Sequence, residues 1–379
     1  MVFFLIALSL YGEINFYIFR RGWQATRGWG SIRVVLLVVF ILLAASFIVG
    51  RLLAEKRLWG SKFLVTFGSF YLALMAFLLV LVLAVDLVRL GNAFFGFFPR
   101  AIRESRQTAA SVVFVAVLAL AVGLVVGGYF NARHIRLRTV DFTLDKPGGA
   151  FASLKVALAS DIHLGTIVGP VQLEAIVSKI NGLEPDIVLL AGDIVDEGVS
   201  VEAEERMTSL LRAIRAPLGT YAVAGNHEFY AGLETSLAYL RRGNVTVLLD
   251  EAVRIADSFT LVGRKDFSHG RDGERRKPLG DILKDVDQSL PLILMDHQPV
   301  DLGQAEVAGV DLQVSGHTHD GQIIPLNWVN KLIYELNWGA KRRGKTQYYV
   351  SSGAGTWGPP VRVGSIPEIV LLRLTFRAP

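Results

Sequence analysis

The sequence predicts an α-helical membrane part of about four spans followed by an α/β layered domain. Three observations lead there. Long apolar runs fill the first third of the chain, and most of the basic excess lies with them. From about residue 140, short runs rich in β-branched residues alternate with stretches of helical period.

At 379 residues the chain is long enough for two or three domains. Hydrophobic residues make up 52% and charged residues 19%, with a mean hydropathy of +0.43. A disordered chain is excluded by that composition, and a wholly soluble one fits it poorly. There is no cysteine. Disulfide scaffolds, thiolate zinc sites, iron–sulfur clusters and cysteine nucleophiles are therefore excluded, although the compartment is not fixed.

The net charge of +5 hides a division. Residues 1–140 hold 15 of the 39 basic residues and 4 of the 34 acidic ones, a net of +11, which leaves −6 for the rest. The larger part is acidic, so no nucleic-acid partner is expected. Basic residues flanking apolar runs are what membrane segments show.

The apolar runs cover residues 2–19, 34–50, 63–85 and 108–130. Crossing the hydrocarbon takes about 20 apolar residues, with roughly 17–25 tolerated. The third and fourth runs fit that length, and the first two are at its short end. The first is a poor signal peptide: it has no basic start, contains Glu13 and Asn15, and runs into Arg20 and Arg21. Glu13 is an intramembrane functional carboxylate, an interfacial one, or a neutral one against a neighbouring helix. Asp86, at the end of the third run, reads as interfacial. No run holds a charged pair or a broken centre, so a transport pathway is poorly supported. The aromatic group Phe94, Phe95, Phe97 and Phe98 fits the headgroup zone or packing between helices.

Orientation is nearly balanced. One side carries Arg20, Arg21, Arg27, Arg33, Arg89, Arg100, Arg103 and Arg106. The other carries Arg51, Lys56, Arg57, Lys62, Arg133, Arg136 and Arg138. The charge of the first span lies wholly on its C-terminal flank, which favours an outside N-terminus and, after four spans, an extracytoplasmic C-terminal domain.

Residues 1–139 are thus expected to form the membrane domain and 140–379 the second domain, with a short basic linker near 131–144. In the second domain, strands are expected at 154–159, 186–191, 220–224, 245–248, 259–262, 290–295, 310–314 and 348–350. Helices are expected at 171–181, 202–214 and 233–242. Helices burying sheets make a layered α/β domain, and about 240 residues suffice for a sizeable core.

Polar residues gather where those strands end. Asp161 and His163 follow the first, Asp193 and Asp196 the second, Asn226, His227 and Glu228 the third. Asp296 and His297 follow a later strand, and His317 and His319 the next. In open α/β sheets, sites form beyond the carboxyl ends of strands. Five of the seven histidines lie in these clusters. A lone strand-end histidine is usually structural, whereas five in one context point to a metal site. Imidazole, carboxylate and amide oxygen without thiolate suit Mn, Fe or Zn, with Mg also compatible. Two divalent ions sharing a carboxylate clamp a phosphoryl group and lower the pKa of a bridging water, giving a hydroxide that attacks phosphorus in line.

The series Asp161-x-His163, Gly192-Asp193-x-x-Asp196, Gly225-Asn226-His227-Glu228, His297 and Gly316-His317-x-His319 resembles the calcineurin-like metallophosphoesterase family, over nearly all of residues 150–379. The run through Gln322 and the tail from Gly353 through Thr356, Pro359, Arg362 and Glu368 resemble its bacterial membrane-associated or exported branch. Asp320 departs from the glycine common there and puts the local turn in question. The resemblance implies a four-layer α-β-β-α sandwich. It also implies one metal held by Asp161, His163, Asp193 and His319, with Asp193 bridging to a second held by Asn226, His297 and His317. It makes His227 the phosphate-contacting proton donor, oriented by Asp196. A helix N-cap is the other reading of Asp196, and Glu228 reads as structural.

The activity expected is hydrolysis of a phosphodiester or pyrophosphate bond, lipid- or nucleotide-linked, by a membrane-anchored enzyme. A non-enzymatic membrane sensor or scaffold is the competing reading. Two basic loops are candidates for anionic headgroups or phosphate. One holds Arg264, Lys265, His269, Arg271, Arg275, Arg276 and Lys277, diluted by Asp266, Asp272 and Glu274. The other holds Lys341, Arg342, Arg343 and Lys345, near Trp328, Trp338 and Trp357.

Overall fold

A computed structural model describes residues 2–56, 58–196, 201–267 and 276–377, with side chains described from residue 5 and not at 201 and 202. Arg57 and the loop residues His269, Arg271, Asp272, Glu274 and Arg275 lie outside the described residues. By contacts the chain forms two compact units, residues 1–129 with 358–361 and residues 130–357 with 362–379.

The first unit is helical: α1 (Val2–Ala25), α2 (Ile32–Glu55), α3 (Ser61–Phe95), the short α4 (Arg100–Glu104) and α5 (Arg106–Arg133), whose last turn enters the second unit. Among the described residues three helices, α2, α3 and α5, are long and apolar enough to cross a membrane. The fourth expected run, residues 2–19, lies in α1, whose first side chains are outside the described residues. α1 is a continuous helix that carries Glu13, Asn15, Arg20 and Arg21.

Glu13 lies on an exposed face, and Asp86 is paired with Arg21 at 2.5 Å. Phe94, Phe95 and Phe97 are more than half exposed, whereas Phe98 is partly buried. α2 and α3 pack closely because Gly68 presents no side chain: a Cβ there would collide with the backbone of Phe47. Tyr11 donates to the Ala44 carbonyl at 2.7 Å and Tyr71 donates to Asn15, tying α1 to α2 and α3.

The second unit holds strands β1 (Arg136–Pro147), β2 (Ser153–Ala159), β3 (Ile187–Ala191), β4 (Thr220–Val223), β5 (Thr246–Val247) and β6 (Glu251–Ile255). After these come β7 (Phe259–Gly263), β8 (Leu292–Met295), β9 (Leu312–Ser315), β10 (Gly339–Arg343), β11 (Thr346–Val350) and β12 (Glu368–Arg377). They form two sheets, ordered β1-β12-β2-β3-β4-β5 and β10-β11-β9-β8-β7-β6. β2 to β5 run parallel in the first, and β7, β8, β9 and β11 in the second. The helices are α6 (Pro170–Gly182), α7 (Val201–Arg212), α8 (Asn226–Ala231), α9 (Leu233–Arg242), α10 (Leu279–Ile282), α11 (Gly303–Val307) and α12 (Leu326–Ile333).

Strand alternation builds the layers. Leu154, Val156, Leu158, Ile187 and Leu189 face inward and meet Leu261, Ile293, Met295, Leu312 and Val314 of the other sheet. The alternate residues Ala157, Val188 and Leu190 pack outward with Ile176 and Ile180 of α6, Leu211 of α7 and Leu240 of α9. On the far side, Leu292 and Leu294 pack with Leu279 of α10 and Ala305 of α11. The order is helix, sheet, sheet, helix, the four-layer arrangement expected.

The segment expected as a linker at 131–144 is instead largely strand, since β1 pairs in parallel with β12 from Arg136 onward. Its interspersed charges conceal the period of two, in which Phe142 and Leu144 are buried while Asp141 and Thr143 are exposed. β6 and β10 also escaped the apolar pattern, because both are mostly exposed edge strands.

Candidate metal centre

The parallel strands of both sheets end at one place. From the first sheet, β2 leads to Asp161 and His163, β3 to Asp193, and β4 to Asn226 and His227 at the start of α8. From the second, β8 leads to His297, and β9 to His317 and His319. Five of these residues hold left-handed backbone: Asp161 (φ 51°), His163 (56°), Asp193 (51°), His317 (71°) and His319 (51°). Such conformations cost of order 1–3 kcal/mol each and cluster where side chains are aimed for function. Gly225 leaves space that an alanine would take from the Asp193 carboxylate.

Asp161, His163 and His319 form one group able to hold a metal ion, and Asp193, His297 and His317 another. His163 and Asp193 also group with His227. His163 Nε2 lies 3.0 Å from His319 Nε2 and 3.9 Å from Asp193 Oδ2. The same Asp193 oxygen is 3.2 Å from His297 Nε2, which lies 3.3 Å from the Asn226 carbonyl oxygen. His319 Nε2 is 3.6 Å from Asp161 Oδ1. Asp193 therefore stands between the two groups, and all seven expected ligands are drawn into one cluster.

Its electrostatics suit a cation. Burial holds His163 and His317 down at about 4 and His319 well below its ordinary value, so these imidazoles are neutral, as ligands must be. Burial pushes Asp161 up to about 6, still ionised at neutral pH. At Asp193 burial opposes the charge, but His297 beside it holds the carboxyl well below the usual range. Burial acts against a charged His297 too, and Asp193 outweighs it, so the His297 proton sits where a cation would join the two. Asp161 Oδ2 and His163 Nδ1 are buried and have no hydrogen-bond partner. The donor set, with an orphaned carboxylate oxygen on Asp161, fits divalent metal ions.

His227 lies against the cluster with its ring centroid 4.6 Å from that of His163. Its Nδ1 is 2.6 Å from Asp196 Oδ1. Burial works against its charge, and Asp196 reverses that and raises its pKa. Asp196 thus engages a histidine. Glu228 is fully buried and accepts four backbone N–H groups, from Asp193 (3.1 Å), Ile194 (2.6 Å), Val195 (2.8 Å) and Gly225 (2.7 Å). It fixes two ligand loops at once, a role that sequence spacing does not reveal. Asp320 adopts the left-handed turn (φ 46°) that favours glycine, with Asn337 donating to its carboxylate at 2.7 Å.

Arg362, fully buried, places Nη2 3.1 Å from His319 Nδ1 and donates to the Gly355 and Ser352 carbonyls. Arg264 and Arg276, candidates for phosphate contact in the sequence, are buried against Asp296 at 3.1 Å each. Asp296 thereby orders the loop next to His297. On the other loop, Lys341 pairs with Glu335, and Arg343 with Glu306 and Glu335. The acids come from outside the loop, so its sequence did not show them.

The family model of the calcineurin-like phosphoesterases matches residues 154–321. A relative from Helicobacter pylori J99, named an uncharacterized metallophosphoesterase, is 36% identical over 250 residues, 65% of this chain and 66% of that protein. The chain thus spans just under two thirds of that relative's length. One of the same name from Aquifex aeolicus is 34% identical over 269 residues, 69% of this chain and 98% of that protein. A Bos taurus protein named transmembrane protein with metallophosphoesterase domain is 35% identical over 281 residues, covering 69% of this chain and 62% of its own. Matched through the strand ends that carry the cluster, and along nearly the whole Aquifex protein, this chain belongs to the calcineurin-like phosphoesterase family.

Proposed function

We propose that the chain is a membrane-anchored, binuclear metal-dependent phosphoesterase that hydrolyses a phosphodiester or pyrophosphate bond, with residues 1–139 as anchor and 140–379 as catalyst. One observation carries this reading: Asp193 stands between two buried ligand groups, with His163 on one side and His297 on the other. Asp161, His163, Asp193 and His319 would hold one divalent ion, and Asp193, Asn226, His297 and His317 the second. Mn, Fe or Zn suits these donors, with Mg also compatible. Bound there, the ions supply Lewis acidity and activate water for attack on phosphorus.

The chain's own groups do the rest. Asp196 orients His227 through Nδ1, which leaves Nε2 to give a proton to the leaving oxygen. Glu228 holds the Asp193 and Gly225 backbones in place. Membrane association is supported by three apolar helices and by the likeness to a transmembrane metallophosphoesterase protein. The multi-pass topology, with the phosphoesterase domain outside the cytoplasm, rests on counting α1 as a fourth crossing helix and on the basic charge at its C-terminal flank. A cysteine placed at the exposed Val307, in a chain with none of its own, tests it. Labelling of intact cells by an impermeant maleimide is expected, and labelling only after lysis would reverse the orientation.

The activity is tested with chromogenic phosphodiester and phosphomonoester substrates. The detergent-solubilised chain is stripped of metal and assayed with Mn, Zn, Fe or Mg restored, alongside Asp193→Asn. Metal-dependent cleavage that prefers the diester and is lost in the variant is expected. Full activity in Asp193→Asn would overturn the ligand assignment. Turnover of neither ester with any metal would favour a ligand-binding membrane sensor.

A further inference from the structure

Apart from the metal centre, the helical unit contains an apolar cavity of about 200 Å³, lined from α1, α2, α3 and α5. One water needs roughly 10–15 Å³ on this scale, so the space matches an alkyl chain better than a few waters. Its walls include Leu36, Leu43, Leu74, Leu78, Val82 and Val117, and its charged lining residues are Arg21, Arg33, Asp86 and Arg89.

Those four residues share one end. Asp86 lies 2.5 Å from Arg21 and 3.5 Å from Arg89, and accepts the Tyr17 hydroxyl at 2.6 Å. The Arg33 guanidinium stacks 3.4 Å over the Trp23 ring, two residues along α1 from Arg21. Two guanidinium groups, Arg21 and Arg89, therefore flank a single carboxylate, and a third, Arg33, which also donates to the Trp23 carbonyl at 3.0 Å, lines the same cavity. The Nε atoms of Arg21 and Arg33 are buried and have no hydrogen-bond partner. A buried donor without an acceptor is costly, and the planar guanidinium matches phosphate oxygens.

We propose that this cavity binds an anionic glycerophospholipid, with its phosphate among Arg21, Arg33 and Arg89 and one acyl chain along the leucine and valine walls. Charge complementarity selects the headgroup. The chain is supplied from the bilayer that α2, α3 and α5 are long and apolar enough to cross. This site lies outside the phosphoesterase centre and does not depend on its activity.

The test uses the full chain, delipidated in detergent. Binding of dioleoyl phosphatidate is compared with that of dioleoylglycerol and of sn-glycerol 3-phosphate, by native mass spectrometry and by shift of the unfolding midpoint. Phosphatidate is expected to bind at least about tenfold more tightly than either fragment. Arg33→Gln should remove most of the headgroup preference, and Leu74→Trp should block the acyl chain. Unchanged circular dichroism and gel-filtration profiles show that each variant is folded. Equal binding of dioleoylglycerol would refute headgroup recognition, and equal binding of glycerol phosphate would reduce the site to a free-anion site. Undiminished binding in Leu74→Trp would place the lipid elsewhere.

Discussion

Replacing Glu228 with Gln tests how the centre is held together without touching a proposed ligand. The two carboxylate oxygens accept four backbone N–H groups, two each, at 2.6–3.1 Å, and the residue has no exposed surface. An amide keeps one oxygen and turns an NH2 toward the other pair. Two buried backbone donors then lose their acceptor, at about 1–3 kcal/mol each, for a total of about 2–6 kcal/mol. At roughly 2–4 °C per kcal/mol for a unit of this size, the unfolding midpoint should fall by roughly 5–20 °C. Because two of the four donors belong to Asp193 and Gly225, metal retention and turnover should fall with it. Scanning fluorimetry of the full chain in detergent measures the shift. Glu174→Gln serves as control: that carboxylate is 60% exposed and pairs with Arg206 on the surface, so the midpoint should move by no more than about 2 °C. A Glu228→Gln midpoint as close to the parent as the control would refute the clamp.

Three further outcomes follow from the same geometry. His227→Ala should retain its metals and lose about 10²–10⁴-fold in rate, most with poor leaving groups; an equal loss across a leaving-group series would remove the proton-donor role. Gly225→Ala drives a methyl into the Asp193 carboxylate and should lower metal content by elemental analysis, whereas Gly182→Ala, with open space at its Cβ, should leave it unchanged. Chelation should lower the unfolding midpoint of the parent by about 5–10 °C, as expected for ions held at about 100-fold over their dissociation constants, and much less that of Asp193→Asn. Equal shifts in the two would separate metal binding from the bridging carboxylate.

Much of this was legible in the sequence, for a physical reason. A parallel strand buried on both faces reads as a short apolar run, and the residues after it are the ones the sheet presents at its carboxyl edge. Asp161, Asp193 and His317 were therefore placed by the strands before them. What stayed hidden depends on partners distant in sequence. β1 reads as a basic linker until β12, more than 220 residues later, pairs with it. Arg264 and Arg276 look like surface charge until Asp296 is found buried between them. Glu228 looks like one more acid at a strand end, and the four N–H groups converging on it come from two loops.

The seven proposed ligands are divided between the sheets, with Asp161, His163, Asp193 and Asn226 on one and His297, His317 and His319 on the other. The distance across that divide is set by the side chains packed between the layers, among them Leu158, Leu189, Leu261 and Met295, together with hydrogen bonds such as those of His297 Nδ1 to the Ala191 carbonyl and of the His317 N–H to Asp161. The centre thus acts as a caliper for the whole sandwich. If one layer slides past the other by an ångström, the gap between Asp193 and His297 changes as much as if a ligand itself had moved. Substitutions deep in the apolar filling, far from any polar atom, should be felt first as altered metal affinity, before the fold itself gives way.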